Sequence, residues 1–433
     1  MNLNRRNFMG SSVAAVAAGM SAGRNVLGAN ERIGICHIGI HGRGAGHIRE
    51  VMKRSDTEIV ALCDVDSKVL DQGAASVKGA TGKEPKKYTD IRQALEDKNV
   101  NVITIATPNH WHSLAAIWGC MAGKDVYVEK PLSHSIWEGR QLVAVAKKYG
   151  RVVQHGTQSR SNSILLRDMR LIHQGFIGPI SHSRGYVYKN GNRQSIGRGK
   201  PGPPPQNLNW PLWQGPAEEK PYLLKENGEG LLVHYNWHWV WEYGNGEIGN
   251  QGAHEMDMAC WGHNRGLPVK VQSMGGRYAW DDDGQTPNTQ STTYIYGDGS
   301  MLTFEVRNLG SFYEGGGGAN SNSFFGTKGY YVRGVGFFDY SNKPIEVKEP
   351  KADEASPWDR FFKVVRSRQE GDNPCNAEVG HISCVHCHLG NIAYRLGQTL
   401  QFDPKTEKFI GSAEANQLVT RPYRKGFEVP PIT

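Results

Sequence analysis

The stretch from Ile33 to Asp64 limits the fold more than any other. An apolar run, Ile33 to Ile38, opens into Gly39-Ile40-His41-Gly42-Arg43-Gly44-Ala45-Gly46, and a second run, Glu58 to Cys63, ends on Asp64. Short apolar runs bounded by turn residues predict buried strands of a parallel sheet. Glycines between a strand and a helix let the backbone approach a pyrophosphate and aim the helix N-terminus at it. An acid at the end of the next strand, about twenty residues on, suits the ribose hydroxyls of a dinucleotide. The glycine spacing is irregular, because His41 stands where the second glycine of the fingerprint belongs. Asp64 repels a 2′-phosphate, which favours NAD over NADP. Gly39, His41, Gly42, Arg43, Gly44 and Asp64 are the expected cofactor contacts of this half.

The rhythm continues downstream. Ile91 to Leu95, Trp111 to Ala122 and Ile136 to Tyr149 read as helices, and Val100 to Ala106 and Asp125 to Val128 as strands. Such alternation predicts an α/β domain with a doubly wound parallel sheet over residues 31–155. Polar clusters follow two strand ends: Thr107-Pro108-Asn109-His110-Trp111-His112 and Glu129-Lys130-Pro131. Ligands of open α/β sheets bind at the carboxyl ends of strands, so both clusters are placed to touch cofactor and substrate.

Thr107-Pro108-Asn109-His110, Glu129-Lys130-Pro131 and Gly156-Thr157-Gln158 together resemble the glucose-fructose oxidoreductase, inositol dehydrogenase and rhizopine catabolism family, in order and spacing. The resemblance extends over nearly the whole chain after its first thirty residues. It implies cofactor contacts from Thr107, Pro108, Asn109, His112, Glu129, Lys130 and Gln158, with Gln158 also near substrate. It assigns Lys130 a place beside the nicotinamide, binding and polarising the substrate. A cation there stabilises developing oxyanion character while a base removes the hydroxyl proton. The alternative for Lys130 is a solvated surface lysine.

Residues 156–433 read as a substrate-binding and oligomerisation domain of α/β type. Glu247-Ile248-Gly249-Asn250-Gln251-Gly252-Ala253-His254-Glu255-Met256-Asp257 resembles the family's second signature, with His254 on the catalytic histidine position and Asp257 on the final acid. Spacings of three and four put Asn250, His254 and Asp257 near one helical face, where all three would meet substrate. Histidine is a natural base for an alcohol proton at neutral pH. Asn250 replaces the aspartate of many relatives; it can orient a hydroxyl but carries neither proton nor charge. Trp210, Trp213, Trp237, Trp239 and Trp241 are interleaved with His234, Tyr235, Asn236 and His238, which suits a carbohydrate; core packing explains about half of these tryptophans equally well, one or two are expected to line the site, and Trp237 is the candidate substrate contact. Gly197 to Pro205 reads as an extended arm. Thr292 to Tyr296, Ser300 to Val306 and Tyr330 to Val335 read as strands of an open, mainly antiparallel sheet, and Trp358 to Arg366 and Ala377 to Leu400 as helices. The family resemblance implies that one face of this sheet meets a partner subunit, giving a homodimer or homotetramer.

Residues 1–30 begin with Asn4-Arg5-Arg6-Asn7-Phe8 and continue through the apolar run Val13 to Met20. This is too short to span a bilayer and resembles a twin-arginine export signal, with an amphipathic first helix as the alternative. That route carries folded proteins to the periplasm or beyond, where no free dinucleotide pool exists. The cofactor should therefore be held tightly and recycled on the enzyme. A net charge of +8 is spread in short pairs such as Lys86-Lys87, which excludes the concentrated stripe of a nucleic-acid binder. The seven cysteines are an odd number sitting in apolar runs, so buried thiols are expected. Cys384-Val385-His386-Cys387-His388 spells a c-type haem attachment pattern, and His381, Cys384 and His388 share one face; a core helix is the preferred reading of both, with no metal site.

Three functions compete. A sugar oxidoreductase would use bound NAD, His254 as base and Lys130 as polarising cation. A glycoside hydrolase or lyase would oxidise the ring transiently, eliminate the leaving group and reduce the ring again. A non-catalytic sugar sensor is disfavoured by the presence of both Lys130 and His254.

Overall fold

Six short strands after residue 32 lie side by side in parallel. β1 (Ile33–Ile38), β2 (Thr57–Cys63), β3 (Lys86–Tyr88), β4 (Val102–Ile105), β5 (Asp125–Val128) and β6 (Val153–His155) are ordered 3-2-1-4-5-6. Every residue of β1 is buried, as expected of a strand covered on both faces. The connecting helices are α1 (Arg43–Met52), α2 (Ser67–Thr81), α3 (Ile91–Glu96), α4 (Asn109–Met121) and α5 (Ile136–Tyr149). Their ends follow local chemistry: the Asp66 carboxylate accepts the Lys68 and Val69 N–H groups at the start of α2, and Gly82 closes it in the left-handed region at φ 73°. Strand order reverses between β1 and β4, which opens a crevice at their carboxyl ends.

The computed structural model describes residues 32–189, 195–310, 320–348 and 355–432. The export signal expected at residues 1–30 lies outside them. No helix among the described residues is long and apolar enough to cross a membrane.

After α6 (Ser163–His173), β7 (Ile180–Tyr188) becomes an inner strand of a ten-stranded sheet. The chain then makes an excursion carrying the short ribbon β8 (Lys200–Pro201) and β9 (Leu223–Leu224), α7 (Trp210–Gln214) and α8 (Gly246–Gly249). It returns through α9 (Gly252–His263), β10 (Lys270–Gly276), β11 (Thr289–Ile295) and β12 (Met301–Arg307). β13 (Asn320–Gly326), β14 (Tyr330–Val332), β15 (Gly336–Phe338) and β16 (Pro344–Ile345) extend one side of the sheet. β17 (Leu400–Asp403) and β18 (Lys408–Ile410) extend the other. β7 and β12 pair in parallel; the other neighbours are antiparallel.

The sequence hid β7. Its inward positions include Ser183 and Gly185, which carry no apolar alternation, and a side chain at 185 would meet the Phe304 ring at 2.8 Å. α10 (Pro357–Ser367) and α11 (Ala377–Leu396) complete the chain's larger helices. The Cys-x-x-Cys-His tract lies in the middle of α11. Cys384 packs in the core under the first sheet, while Val385, Cys387 and Leu389 pack in the core under the second. His388 bonds Ser133 at 3.1 Å and His386 bonds Tyr296 at 2.8 Å, so these side chains serve as core contacts between the two sheets.

The excursion is pinned to the first sheet by backbone bonds. Ser67 N–H donates to Asn207 O at 2.8 Å and Asn209 N–H to Val65 O at 2.9 Å. The chain end returns the same way: Arg421 donates to Glu138 at 2.8 Å and to the His110 carbonyl at 2.8 Å.

Candidate active site

The site begins at the β1–α1 turn. Gly39 has φ 73°, and a side chain there would lie 2.8 Å from the Thr107 amide nitrogen. Gly44 is tighter still, because an added Cβ would sit 1.9 Å from Gly39 O. These two glycines let α1 start hard against the strand. Gly42 precedes α1 at φ 49° with open space above it, and no side chain caps the helix. Gly44 N–H donates to His41 O at 2.9 Å, and the other N–H groups of this first turn, which have no partner within the helix, face an anion such as a pyrophosphate.

A cavity of about 660 Å³ extends from this turn across the carboxyl ends of the strands. Gly39, His41, Gly42, Arg43, Asp64, Thr107, Pro108, Asn109, His112, Glu129, Lys130 and Gln158 line it, as do Asn250, His254 and Trp237 from the second half. Gly44 lies behind the surface, where it permits close packing. The Asp64 carboxylate accepts Ile40 N–H at 2.9 Å and Asp66 N–H at 3.0 Å. Burial pushes this carboxyl up and those two bonds oppose the shift. The Thr107 hydroxyl is buried and lacks a hydrogen-bond partner among the described residues. The open turn, the uncapped helix and the unsatisfied hydroxyl fit a dinucleotide, with Asp64 placed for its ribose.

Glu129 lines the cavity and also braces the glycine turn. It accepts Arg43 Nε at 2.7 Å and His47 Nε2 at 2.9 Å, and these partners hold its carboxyl well below the usual range despite burial. Its role is to anchor Arg43 at the mouth of the turn. His112 lies between the carbonyls of Thr107, at 2.8 Å, and Pro131, at 2.7 Å, joining the two strand-end clusters. Gln158 reaches Tyr127 and Glu129 at 3.5 Å each.

Lys130 extends across the cavity, its ammonium donating to both the backbone and side-chain oxygens of Asn250 at 3.1 Å. His254 sits half-buried in the first turn of α9, its N–H bonded to Gln251 O at 3.0 Å. Burial first, and the Lys130 cation second, push its imidazole down to about 3. The ring is neutral at ordinary pH and can accept a proton.

The expectation of three residues on one helical face does not hold in the folded chain. Asn250 precedes α9, and Asp257 lies outside the cavity. Its side chain is fully buried and accepts Arg160 Nε at 2.8 Å and the Ser383 hydroxyl at 2.7 Å. The physical reason is the arrival of Arg160, from beyond β6, on the inner side of α9: a carboxylate beside a buried cation turns toward it.

Trp210, Trp213, Trp237 and Trp239 belong to one buried aromatic cluster, and of these Trp213 and Trp237 also line the cavity. His234, Tyr235 and His238, polar residues interleaved with those tryptophans, also line the cavity, though the sequence assigns them no individual site role. Thr89, Asp90 and Ile91 were missed as well; their signal is their place at the end of β3.

The oxidoreductase family's NAD-binding Rossmann fold matches residues 32–157, and its C-terminal alpha/beta domain matches residues 170–429. The chain belongs to the glucose-fructose oxidoreductase, inositol dehydrogenase and rhizopine catabolism family. It carries that family's NAD-binding Rossmann domain and is an oxidoreductase by family. A glycosyl hydrolase family 109 protein of Shewanella pealeana is 28% identical over 217 residues, which is 44% of this chain and 47% of that protein. The chain thus spans about half the length of the curated relatives it matches. Among solved structures, the WlbA dehydrogenase of Bordetella pertussis, in complex with NADH and UDP-GlcNAcA, superposes with a TM-score of 0.62 at 18% identity. That match covers 86% of this chain and 99% of that one. The aldose-aldose oxidoreductase of Caulobacter crescentus gives 0.62 at 15% identity, covering 86% of this chain and 100% of that one.

Proposed function

We propose that this protein is an exported NAD-dependent oxidoreductase that oxidises a ring hydroxyl of a sugar, a sugar derivative or a glycoside, with its cofactor retained and recycled by passing the hydride on to a second, carbonyl-bearing substrate. The observation that carries this reading is the convergence of Lys130 and His254 on the cavity that also holds Gly39, Gly42 and Asp64. Gly39, Gly42, Asp64 and Thr107 would hold the dinucleotide. When bound, it supplies the acceptor for the hydride leaving the carbinol carbon.

The chain's own residues do the rest. Lys130, oriented by its two bonds to Asn250, donates to the reacting oxygen and stabilises the charge that develops there. His254, kept neutral by burial, accepts the hydroxyl proton. Trp237, stacked on His238 at 3.6 Å, offers a flat apolar wall suited to the C–H face of a sugar ring.

Export by the twin-arginine route and assembly into a dimer or tetramer are part of the proposal. The paired Arg5 and Arg6 support the first. The match of residues 170–429 to the family's C-terminal domain, whose sheet is expected to meet a partner subunit, supports the second.

The partial likeness to glycosyl hydrolase family 109 proteins favours a second reading, in which ring oxidation is transient and the net reaction is glycoside cleavage. One experiment separates the two. The purified mature protein is denatured, its nucleotide identified by mass, and the redox state of that nucleotide followed on addition of sugars and glycosides. Accumulation of NADH with a free sugar supports net oxidation; release of an aglycone with NAD unchanged supports cleavage. Protein that neither contains nor takes up NAD refutes both.

A further inference from the structure

His41 occupies a position that the fingerprint reserves for glycine, and its ring is stacked on His234 of the excursion, with centroids 4.7 Å apart and planes inclined by 27°. His234 Nε2 also lies 3.3 Å from an oxygen of Asp66, the residue that caps α2. Both imidazoles line the cavity beside Gly42 and Asp64. They form a bridge from the glycine turn to the excursion, over the part of the crevice that fits a ribose and a pyrophosphate. The root of the excursion is fastened close by, through Ser67 and Asn209 to the β2–α2 connection.

Behind His234 lies a second hollow of about 590 Å³, lined by Asp66, Asn207, Tyr222 and Asn236 and sharing His234 and Tyr235 with the main cavity. His234 is therefore a partition with space on both sides.

We propose that His41 and His234 are dinucleotide-retaining residues, whose stack closes over the adenosine half of bound NAD and whose parting into the second hollow lets the nucleotide leave. This rests on the retained-cofactor reading above. It explains why a bulky ring replaces glycine in the turn: the ring is directed at a partner from the other half of the chain. Asp66 and Asn207 act as positioning residues. Asp66 steadies the His234 ring, and Asn207 donates to Asp66 at 2.8 Å.

The test compares full-length mature protein with His41→Gly, His234→Ala and His234→Phe variants. Each is saturated with NAD, desalted, and diluted into nucleotide-free buffer, and the NAD still bound is measured by mass over time. His41→Gly restores the ordinary turn, and His234→Phe keeps a ring for stacking while losing the Asp66 contact. Removing one stacked ring should speed release by roughly tenfold, the upper range for an aromatic pair. His41→Gly and His234→Ala should show this, with melting temperatures of the nucleotide-free proteins lower by no more than about 2 °C. His234→Phe should stay within about threefold of the parent. Release at the parent rate from both His41→Gly and His234→Ala, while the parent retains NAD, overturns the clasp and leaves the retained-cofactor reading intact. A parent that never holds NAD through desalting overturns the retained-cofactor reading itself.

Discussion

Replacing Asp257 by Asn leaves a buried cation without its counter-charge. The Asp257 side chain is 0% exposed and that of Arg160 is 8% exposed. Arg160 Nε reaches both carboxylate oxygens, at 3.1 and 2.8 Å, and the guanidinium lies 4.7 Å above the Trp261 ring. Breaking such a pair from one side costs about 3–5 kcal/mol, because the remaining charge stays desolvated. With an unfolding entropy of about 2.1 cal/mol/K per residue, roughly 400 residues give about 0.8 kcal/mol/K. The expected fall in melting temperature is then about 4–6 °C, read by calorimetry on the nucleotide-free protein. NAD uptake at lower temperature should be unchanged, since Asp257 lines no part of the cavity. Combining Arg160→Met with Asp257→Leu should recover much of the loss, because an apolar pair carries no desolvation penalty. An Asp257→Asn protein that melts within about 1 °C of the parent, with weakened substrate saturation, would refute the structural role. It would return Asp257 to the substrate site.

His254→Ala should retain NAD and lower sugar-driven reduction of it by about 10²–10⁴-fold, measured by nicotinamide absorbance; unchanged turnover would remove His254 from the mechanism. Gly44→Ala should abolish NAD uptake in an equilibrium binding assay, since its Cβ would fall 1.9 Å from Gly39 O; parent-like uptake would mean the turn can relax. Stability should also depend on pH in a defined direction. Burial pushes His110, His254, His263 and His388 to about 3, and His155 and His386 to about 4. The unfolded chain binds protons at these rings below about 6.5 and the folded chain does not, so stability is full above that pH and falls as pH drops toward 4. Melting temperatures across that window check this, and a flat profile would show that these rings titrate while folded.

The first half was readable because its signals are local. A buried parallel strand announces itself as an apolar run, a close strand-to-helix turn needs glycine, and the strand ends carry their polar clusters on neighbouring residues. Thr107, Glu129 and Lys130 could thus be placed at the crevice from the sequence. The second half was harder for the same physical reason. β7 has serine and glycine on its inward side, because Phe304 fills the space from the adjacent strand. A pattern spread over two strands is invisible in either one.

Sequence by itself determined the family, the parallel sheet, the turn at Gly39 and the candidacy of Lys130 and His254, since each is written within one element and its flanks. Only the tertiary structure decided what the charged and aromatic side chains do. Asp257 lies three residues from His254, yet its partner Arg160 is 97 residues away in sequence, and Lys130 meets Asn250 across 120. His41 became a candidate clasp only when His234 arrived above it. A buried charge or ring takes its role from the groups packed against it, and those neighbours are chosen by the path of the whole chain.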